Sequence, residues 1–219
     1  MGIRTINASK RIENPATTIL RDINLEIFEG DFISLTGKSG SGKSTLLYLL
    51  STLDNPTSGA IEIDGKKIGD MKPEEICQFR NKRAGFVFQF HYLISELSVL
   101  ENVLLPVIRK DRMKEKTDFA LHLLEQLGLQ EKTKRFPRQL SGGEAQRVAV
   151  ARALVMQPKY IFADEPTGSL DSINGELVMQ MLLKANRELH TTVILVTHDS
   201  EFANMAQRRV HLSDGKISL

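Results

Sequence analysis

Apolar positions follow two patterns along the chain, and together these patterns predict a fold of strands and helices. Over the first thirty residues apolar and polar positions alternate, as in the segment INLEI at 23–27, which predicts strands with one buried face. Continuous apolar runs, which are typical of strands buried on both faces, occur at 31–36, 86–88, 160–163 and 193–196. Because helical patterns separate these runs, we expect an α/β fold with a mostly parallel sheet covered on both faces.

The middle of the chain interrupts this alternation. Apolar residues recur at helical spacing from about 99 to 127. Asp-Gly dipeptides at 64–65 and 214–215 lie outside that segment and predict β-hairpin turns. We therefore expect a single domain over 1–219 in which a helical sublobe, approximately 95–155, is inserted in the core.

The composition is that of an ordinary folded protein and excludes several classes. With 41% hydrophobic and 26% charged residues, the chain is neither disordered nor collagen-like. Its formal net charge of +2 argues against a large nucleic-acid-binding surface, which needs a marked basic excess. The single cysteine, Cys77, excludes an internal disulfide and is expected to be a packing residue. No apolar stretch approaches the roughly 20 residues of a membrane-spanning helix, so we expect any membrane role to come through a partner.

The segment GKSGSGKS at 37–44 matches the phosphate-binding pattern G-x-x-x-x-G-K-[ST], between a predicted buried strand and a predicted helix. The glycines let backbone N–H groups surround anionic oxygens, and the N-terminus of the following helix adds a partial positive charge. Lys43 is expected to reach the β- and γ-phosphates, and Ser44 to ligate Mg²⁺. The pattern predicts a nucleoside triphosphate site. Its candidate binding residues are Gly37, Ser39, Gly40, Ser41, Gly42, Lys43, Ser44 and Thr45.

Two acidic residues at the end of another predicted buried strand are candidates for the chemistry at this site. Asp164 follows the apolar run 160–163 and is expected to supply a second anchor for Mg²⁺. Its neighbour Glu165 is expected to point in a different direction and to polarise an attacking water. A general base of this kind contributes about 10²–10⁴-fold to a rate, so Glu165 is the candidate for that role.

A second glycine-containing segment, LSGGE at 140–144, directly precedes a helical run. The helix N-terminus at Gly143 would be a second anion-binding end in one chain, besides the one at Gly42. A simple kinase or GTPase needs one such end, although the phosphate-binding pattern alone leaves several classes of P-loop protein open. We hypothesise that the second end completes the site of a partner copy, which gives two shared sites in a two-fold homodimer.

Taken together, these motifs resemble those of the ATP-binding-cassette (ABC) ATPases, in the same order and over nearly the whole chain. LSGGE resembles the signature motif of that family. Gln89 resembles the Q-loop glutamine, Ser169-Leu170-Asp171 the D-loop, and His198 the switch histidine. The resemblance implies a P-loop NTPase (RecA-like) fold, in which a mostly parallel sheet core carries an N-terminal antiparallel β subdomain and a helical signature subdomain.

The resemblance also implies a role for each residue. ATP would lie on the P-loop of one subunit and be closed over by Ser141 and Gly143 of the other, while Asp171 would bridge the dimer interface. Gln89 would sense Mg²⁺ and the water. Many members stack an aromatic residue of the N-terminal strand on adenine, whereas this chain offers only Ile12 there, which leaves the preference for ATP over GTP open. The implied catalytic residues are Lys43, Gln89, Glu165 and His198, the last in contact with the γ-phosphate, and the implied metal ligands are Ser44, Gln89 and Asp164.

The segment 85–107 resembles one branch of the family more particularly, the lipoprotein-releasing (LolD-like) and macrolide-exporter (MacB-like) ATPases. Residues 90–93, FHYL, favour the lipoprotein-releasing members, in which this surface docks the coupling element of the membrane subunit. The resemblance implies an ATPase with ATP and Mg²⁺ as cofactors, which powers a separate transmembrane permease by ATP-driven dimer closure. It implies a peripheral location on the cytoplasmic face of the inner (plasma) membrane and no nucleic-acid partner.

Other functions stay open at this point. Macrolide and antimicrobial-peptide exporters and cell-division complexes share the same motifs. A soluble ABC ATPase acting on DNA is disfavoured because the interval between Gln89 and Ser141 is too short for a long coiled-coil insertion, and one acting on ribosomes because the chain has one cassette. A nucleotide-binding regulator without turnover would be expected to lack Glu165 or His198, and both are present.

Overall fold

The computed structural model describes residues 2–107, 113–168 and 170–218. These residues fall into two compact units. The P-loop unit comprises the chain up to residue 80 together with the chain from 192 on, and the signature unit comprises 81–191. In chain order the elements are β1 (Gly2–Glu13), β2 (Ala16–Phe28), β3 (Phe32–Thr36), α1 (Lys43–Leu50), β4 (Ser58–Ile63), β5 (Lys66–Lys67), α2 (Pro73–Lys82), β6 (Ala84–Phe88), α3 (Val99–Leu104), α4 (Met113–Gln126), α5 (Gly142–Leu154), β7 (Tyr160–Asp164), α6 (Ser172–Leu189), β8 (Thr192–Val196), α7 (Ser200–Asn204), β9 (Arg208–Ser213) and β10 (Lys216–Ser218).

The P-loop unit contains an antiparallel sheet with the order β2-β1-β4-β5. Its alternating residues place Ile3, Ile23 and Ile27 in the core, as half-buried strands require. The predicted hairpin joins β4 to β5, and its two turn residues, Asp64 and Gly65, have φ values of 53° and 82°. The predicted N-terminal antiparallel subdomain is confirmed.

The same unit holds the strands that carry the P-loop. Strand β3 pairs in parallel with β8 on one side and with β9 on the other. All five residues of β8 and the first four of β3 are buried, which explains their continuous apolar sequences. Helix α1 follows β3 and buries four leucines. These are Leu46, Leu47, Leu49 and Leu50.

The signature unit is built around the parallel pair of β6 and β7 and the buried helix α5. Helix α5 packs against β6, α3, α4 and α6, and the predicted sublobe, 95–155, lies within this unit. The two glycines of the signature segment were expected to precede the helix, but Gly142 and Gly143 are its first two residues. Ser141 caps the helix, which begins two residues earlier than expected, because its side chain accepts a hydrogen bond from the N–H of Glu144.

Three further points separate the structure from the sequence pattern. Helices α2, α6 and α7 have no counterpart among the predicted elements. The expectation that Cys77 packs in the core is wrong, because α2 buries Phe79 and residues two apart on a helix face opposite sides, which leaves Cys77 exposed. Ser169 of the predicted D-loop lies outside the described residues. Within the described ranges, no helix is both long enough and apolar enough to cross a membrane.

Candidate nucleotide-binding site

The P-loop connects the end of β3 to the start of α1, and its glycines are required by the backbone. Gly37, Gly40 and Gly42 have φ values of 140°, 78° and 99°, a region that disfavours other residues. A Cβ added at Gly37 would lie 2.2 Å from the carbonyl oxygen of Leu212, and one at Gly42 would lie 2.7 Å from Cδ2 of Leu20. The loop therefore follows a path that only this glycine spacing permits.

Lys43 begins α1 and folds back over the loop. Its Nζ donates hydrogen bonds to the carbonyl oxygens of Gly37, at 3.0 Å, and Lys38, at 2.9 Å. Gly42 has no side chain with which to cap α1, and no side-chain hydrogen bond caps the start of this helix. Helix N-termini that follow a glycine-rich loop commonly bind anions. Ser44 and Thr45 are half-buried in this first turn, whereas Ser39 and Gly40 are exposed at the loop tip.

Ser41 is the least exposed residue of the loop, at 6%. Within the described ranges its Oγ has no hydrogen-bond partner. A Cβ at Gly37 would also lie 2.8 Å from this oxygen, so the two residues are packed closely together. The hydroxyl therefore lies inside the turn of the loop.

Two other predicted residues belong to the same unit. His198 is exposed two residues beyond β8. Because β8 and β3 are parallel and pair Val196 with Leu35, His198 and the P-loop leave the sheet at the same edge. Ile12 lies near the end of β1, opposite Thr17, and is 44% exposed.

The acidic pair and the Q-loop glutamine come together in the signature unit. Asp164 is the last residue of β7, is 8% exposed and pairs with Phe88 in β6. Gln89 and Glu165 therefore leave adjacent parallel strands at the same level. A Cβ added at Gly168 would lie 3.5 Å from Nε2 of Gln89 and 3.6 Å from Cβ of Glu165, so both side chains border this glycine. Glu165 has a φ of 48°, an unusual value for a residue other than glycine.

The signature segment presents a capped helix N-terminus. Oγ of Ser141 accepts a hydrogen bond from the N–H of Glu144, and the carboxylate of Glu144 accepts one from the N–H of Ser141 at 2.9 Å. The ammonium of Lys132 forms an ion pair with the same carboxylate. The hydrogen bond from Lys132, followed by that from Ser141, lowers the pKa of Glu144. Ser141 is exposed and Gly143 half-buried at this end of α5.

The start of α6 lies against the signature segment. Asp171 caps α6 by accepting from the backbone N–H of Asn174, at 2.8 Å, and from its side-chain amide, at 2.9 and 2.7 Å. These bonds, together with the positive charge of Arg147, lower the pKa of Asp171. A Cβ added at Gly143 would lie 3.1 Å from the Asn174 side chain. The structure thus places Asn174, which binds Asp171, next to Gly143 of the signature segment.

The residues directly after Gln89 form an exposed aromatic surface. Phe90 and Tyr92 are 70% and 66% exposed, with their ring centroids 6.5 Å apart. Arg152 of α5 holds the backbone beneath them, because its guanidinium donates to the carbonyl oxygens of His91, at 2.6 Å, and Tyr92, at 2.7 Å. We call Phe90 and Tyr92 the aromatic patch.

Gln146 and Arg147 of α5 were not singled out by the sequence analysis. Gln146 is fully buried, and Arg147 is 9% exposed. Their only signal in the sequence is that two neighbouring polar residues interrupt a run of apolar and small residues, AQRVAVARAL at 145–154. Successive side chains on a helix point about 100° apart. A helix that is covered on most sides therefore buries at least one of two neighbouring residues.

The comparisons with known proteins agree with this arrangement. The family model described as ABC transporter matches residues 20–168. The "Lipoprotein-releasing system ATP-binding protein LolD" of Leptospira interrogans is 54% identical over 216 residues, which cover 99% of this chain and 90% of that protein. The protein of the same name from Aquifex aeolicus is 48% identical over 200 residues, covering 91% and 89%.

A solved structure extends the agreement to three dimensions. The dimeric post-hydrolysis structure of the ATP-binding cassette MJ0796 bound to ADP and Pi has a TM-score of 0.90 and 40% identity, covering 99% of this chain and 97% of that chain. The predicted P-loop NTPase fold is thereby confirmed. The chain belongs to the ABC transporter family and is one of its ATP-hydrolysing cassettes.

Proposed function

We propose that this cassette works as a homodimer whose ATP-driven closure powers lipoprotein release through a separate membrane subunit. The observation that carries the proposal is that one chain has two helices that begin at glycine-rich segments, after Gly42 and at Ser141. Helix N-termini of this kind are typical anion-binding sites. The curated relatives support the cargo by their name, and the MJ0796 cassette supports the dimer, since it is dimeric with ADP and Pi. Each copy would supply one N-terminus to each nucleotide.

ATP would be bound mainly by the P-loop. The backbone N–H groups between Gly37 and Thr45 surround the phosphates, and Lys43 neutralises charge on the β- and γ-phosphates. In the structure the Lys43 ammonium already lies against two loop carbonyls, so a short movement of its flexible side chain brings it to a phosphate. Ile12 supplies an apolar contact for the base.

Mg²⁺ would be held by Ser44, Gln89 and Asp164. Their hydroxyl, amide and carboxylate oxygens are the hard donors that this ion prefers, and the remaining positions go to water and phosphate oxygens. The burial of Asp164 at the end of β7 fits a carboxylate that faces a cation rather than bulk water. When bound, Mg²⁺ neutralises charge on the phosphate oxygens.

Hydrolysis would depend on Glu165, whose carboxylate orients and polarises the attacking water. Gln89, which shares the border of Gly168 with Glu165, orients the same water from the neighbouring strand. His198 contacts the γ-phosphate. Transfer of the γ-phosphoryl group to water yields ADP and phosphate, and the loss of the bridging triphosphate removes the stabilisation of the closed dimer.

The second copy would complete each site. Its Ser141 and the N–H groups at Gly143 close over the γ-phosphate, and its Asp171 lies at the dimer interface. The Asn174 bonds that lower the pKa of Asp171 keep this carboxylate charged and fixed in direction. The contact between Gly143 and Asn174 makes the signature and D-loop one connected surface for the partner copy.

The membrane subunit would dock on the aromatic patch. Phe90 and Tyr92 present two large rings to solvent directly after Gln89, on a backbone that Arg152 holds in place. Exposed aromatic residues on a rigid support are typical of protein-binding surfaces. This docking would hold the cassette on the cytoplasmic face of the inner membrane. We propose no nucleic-acid partner for the cassette.

The test exchanges Glu165 for glutamine, which keeps its size and removes its negative charge. We expect Glu165→Gln to bind ATP as tightly as the wild type and to lower phosphate release by at least about 10²-fold. With ATP and Mg²⁺ it should accumulate as a dimer in light scattering, because the closed form is no longer hydrolysed. Glu188→Gln, at an exposed position near the end of α6, is the matched control and should behave as the wild type.

Two outcomes would overturn the proposal. Equal phosphate release by Glu165→Gln and the wild type removes Glu165 from its role, and a variant that stays monomeric at high concentration with ATP and Mg²⁺ removes the dimer mechanism. The membrane partner, and with it the branch of the family, is tested separately by co-purification. A membrane subunit with four spanning helices and a large extracytoplasmic domain supports the assignment, whereas recovery with ribosomes or DNA contradicts it.

A further inference from the structure

One buried side chain, Gln146, joins three segments of the signature unit. Its Nε2 donates to the carbonyl oxygen of Phe88, at 3.0 Å, and to that of Pro166, at 2.9 Å. Its Oε1 lies 2.9 Å from Nδ1 of His91. Gln146 is fully buried, so every hydrogen-bonding group of its amide is used within the protein.

This network fixes which atoms carry protons. Both partners of Nε2 are carbonyl oxygens and only accept, so the amide orientation is determined and Oε1 must be an acceptor. Nδ1 of His91 must then carry a hydrogen and donate it to Oε1. The structure therefore requires that neutral His91 is protonated on Nδ1 and bare on Nε2.

The two carbonyl oxygens lie close in sequence to the proposed catalytic residues. The carbonyl of Phe88 is in the peptide that begins Gln89, and the carbonyl of Pro166 is in the peptide between Pro166 and Thr167, one residue beyond Glu165. One amide thus sets the spacing between the backbone before the water-orienting glutamine and the backbone after the general base. We infer that Gln146 is a positioning residue for hydrolysis, which keeps Gln89 and Glu165 in register with each other. The inference rests on the roles proposed above for these two residues.

The first experiment replaces the amide by an apolar group of similar length. We expect Gln146→Met to lower kcat at least about tenfold, because a displacement near 1 Å in a catalytic group costs about 10²-fold. The KM for ATP should change less than twofold, since the hydrogen bonds of Gln146 to described residues all lie within the signature unit and ATP is proposed to be bound mainly by the P-loop. Gln146→Glu should lose kcat similarly, because a carboxylate cannot donate to the two carbonyls.

Gln126 offers a matched control. It also pairs with a histidine, through a 2.7 Å contact between its Nε2 and Nε2 of His122, but both lie on α4 and the pair is exposed. Gln126→Met should keep the wild-type kcat and KM. If Gln146→Met only lowers the folded fraction and keeps the wild-type kcat per folded molecule, Gln146 is a structural residue and the inference is wrong.

The second experiment uses the wild-type protein and so does not depend on the folding of a variant. Histidine ¹⁵N spectra at about pH 8, above the usual histidine pKa, should show His91 with its proton on Nδ1. The signal is assigned by its absence from His91→Asn. A His91 protonated on Nε2 with a bare Nδ1 would refute the network directly.

The Glu165→Gln variant separates this inference from the function on which it rests. If Glu165→Gln is inactive while Gln146→Met turns over at the wild-type rate, the positioning role alone is wrong. If Glu165→Gln turns over normally, the catalytic assignment itself has failed, whatever Gln146→Met does.

Discussion

Asn102 of α3 offers a direct test of how buried amides hold the loops of the signature unit. Its side chain is fully buried. Oδ1 accepts from the N–H of Ile94 at 2.8 Å, and Nδ2 lies 3.1 Å from the carbonyl oxygen of Ile94, 3.0 Å from that of Leu97 and 3.0 Å from that of Ser98. Because Nδ2 has only two hydrogens, the amide makes three full hydrogen bonds to the loop that follows the aromatic patch.

The magnitude follows from this count. A hydrogen bond to a neutral backbone group contributes about 1 kcal/mol net, so Asn102→Ala should lower the free energy of unfolding by about 3 kcal/mol. Asn81 gives the matched comparison, since its Nδ2 makes one bond, to the carbonyl oxygen of Pro106 at 2.9 Å. Asn81→Ala should therefore cost about 1 kcal/mol.

Urea unfolding followed by far-ultraviolet circular dichroism measures both values, and the method suits this chain because it contains no tryptophan. The comparison of the two variants matters more than either number, since both remove the same group from the same unit. If Asn102→Ala costs no more than Asn81→Ala, the loop carbonyls find other partners and counting bonds in this way is wrong.

Two further predictions concern the proposed nucleotide-binding residues. Gly37→Ala should weaken binding of a fluorescent ATP analogue at least about tenfold, because its Cβ would lie 2.2 Å from the carbonyl oxygen of Leu212 at a φ of 140°. Gly69→Ala is the control and should bind normally, since a Cβ at Gly69 has open space around it. The pKa of Asp171 is lowered first by the backbone N–H of Asn174 and second by its side-chain amide, so Asn174→Ala, which removes only the amide, should raise this pKa part of the way towards its ordinary value in a carboxyl ¹³C titration. Because folding lowers this pKa, the wild-type carboxylate stabilises the protein above about pH 4, and this stability is lost as the pH falls through the folded pKa. An unchanged Asp171 pKa in the variant would contradict this account.

The strands and the P-loop were predictable because their signals are local. Four continuous apolar runs became β3, β6, β7 and β8, and the two Asp-Gly dipeptides became hairpin turns. The P-loop could be predicted in the same way, because three positions close together in the sequence, Gly37, Gly40 and Gly42, need positive φ values that favour glycine. Such patterns are predictive because the physical constraint behind each of them involves only a few neighbouring residues.

The start of α5 and the place of Cys77 were less predictable for a related reason. The sequence pattern placed the two glycines before the helix, yet both are helical, because the capping box between Ser141 and Glu144 outweighs the poor helix propensity of glycine. Cys77 is a small apolar residue in a charged stretch, and its exposure depends on which side of α2 meets the core. The start of α5 depends on a cap three residues away, and the exposure of Cys77 depends on the orientation of the whole helix. Neither can be inferred from the residue alone.

The residues that the sequence concealed have a common physical role. Asn102, Gln146 and Arg152 are polar side chains on helices that all donate to backbone carbonyls of the segment 88–98. Beyond Phe88, the last residue of β6, that segment has left the sheet, so other donors must satisfy its carbonyls where they are covered. Helices α3 and α5 supply these donors, and the same bonds fix the directions of Gln89 and of the aromatic patch. A sequence motif identifies the residues that contact a ligand. A residue that positions them can be recognised only from the structure, which shows the backbone carbonyl to which it donates.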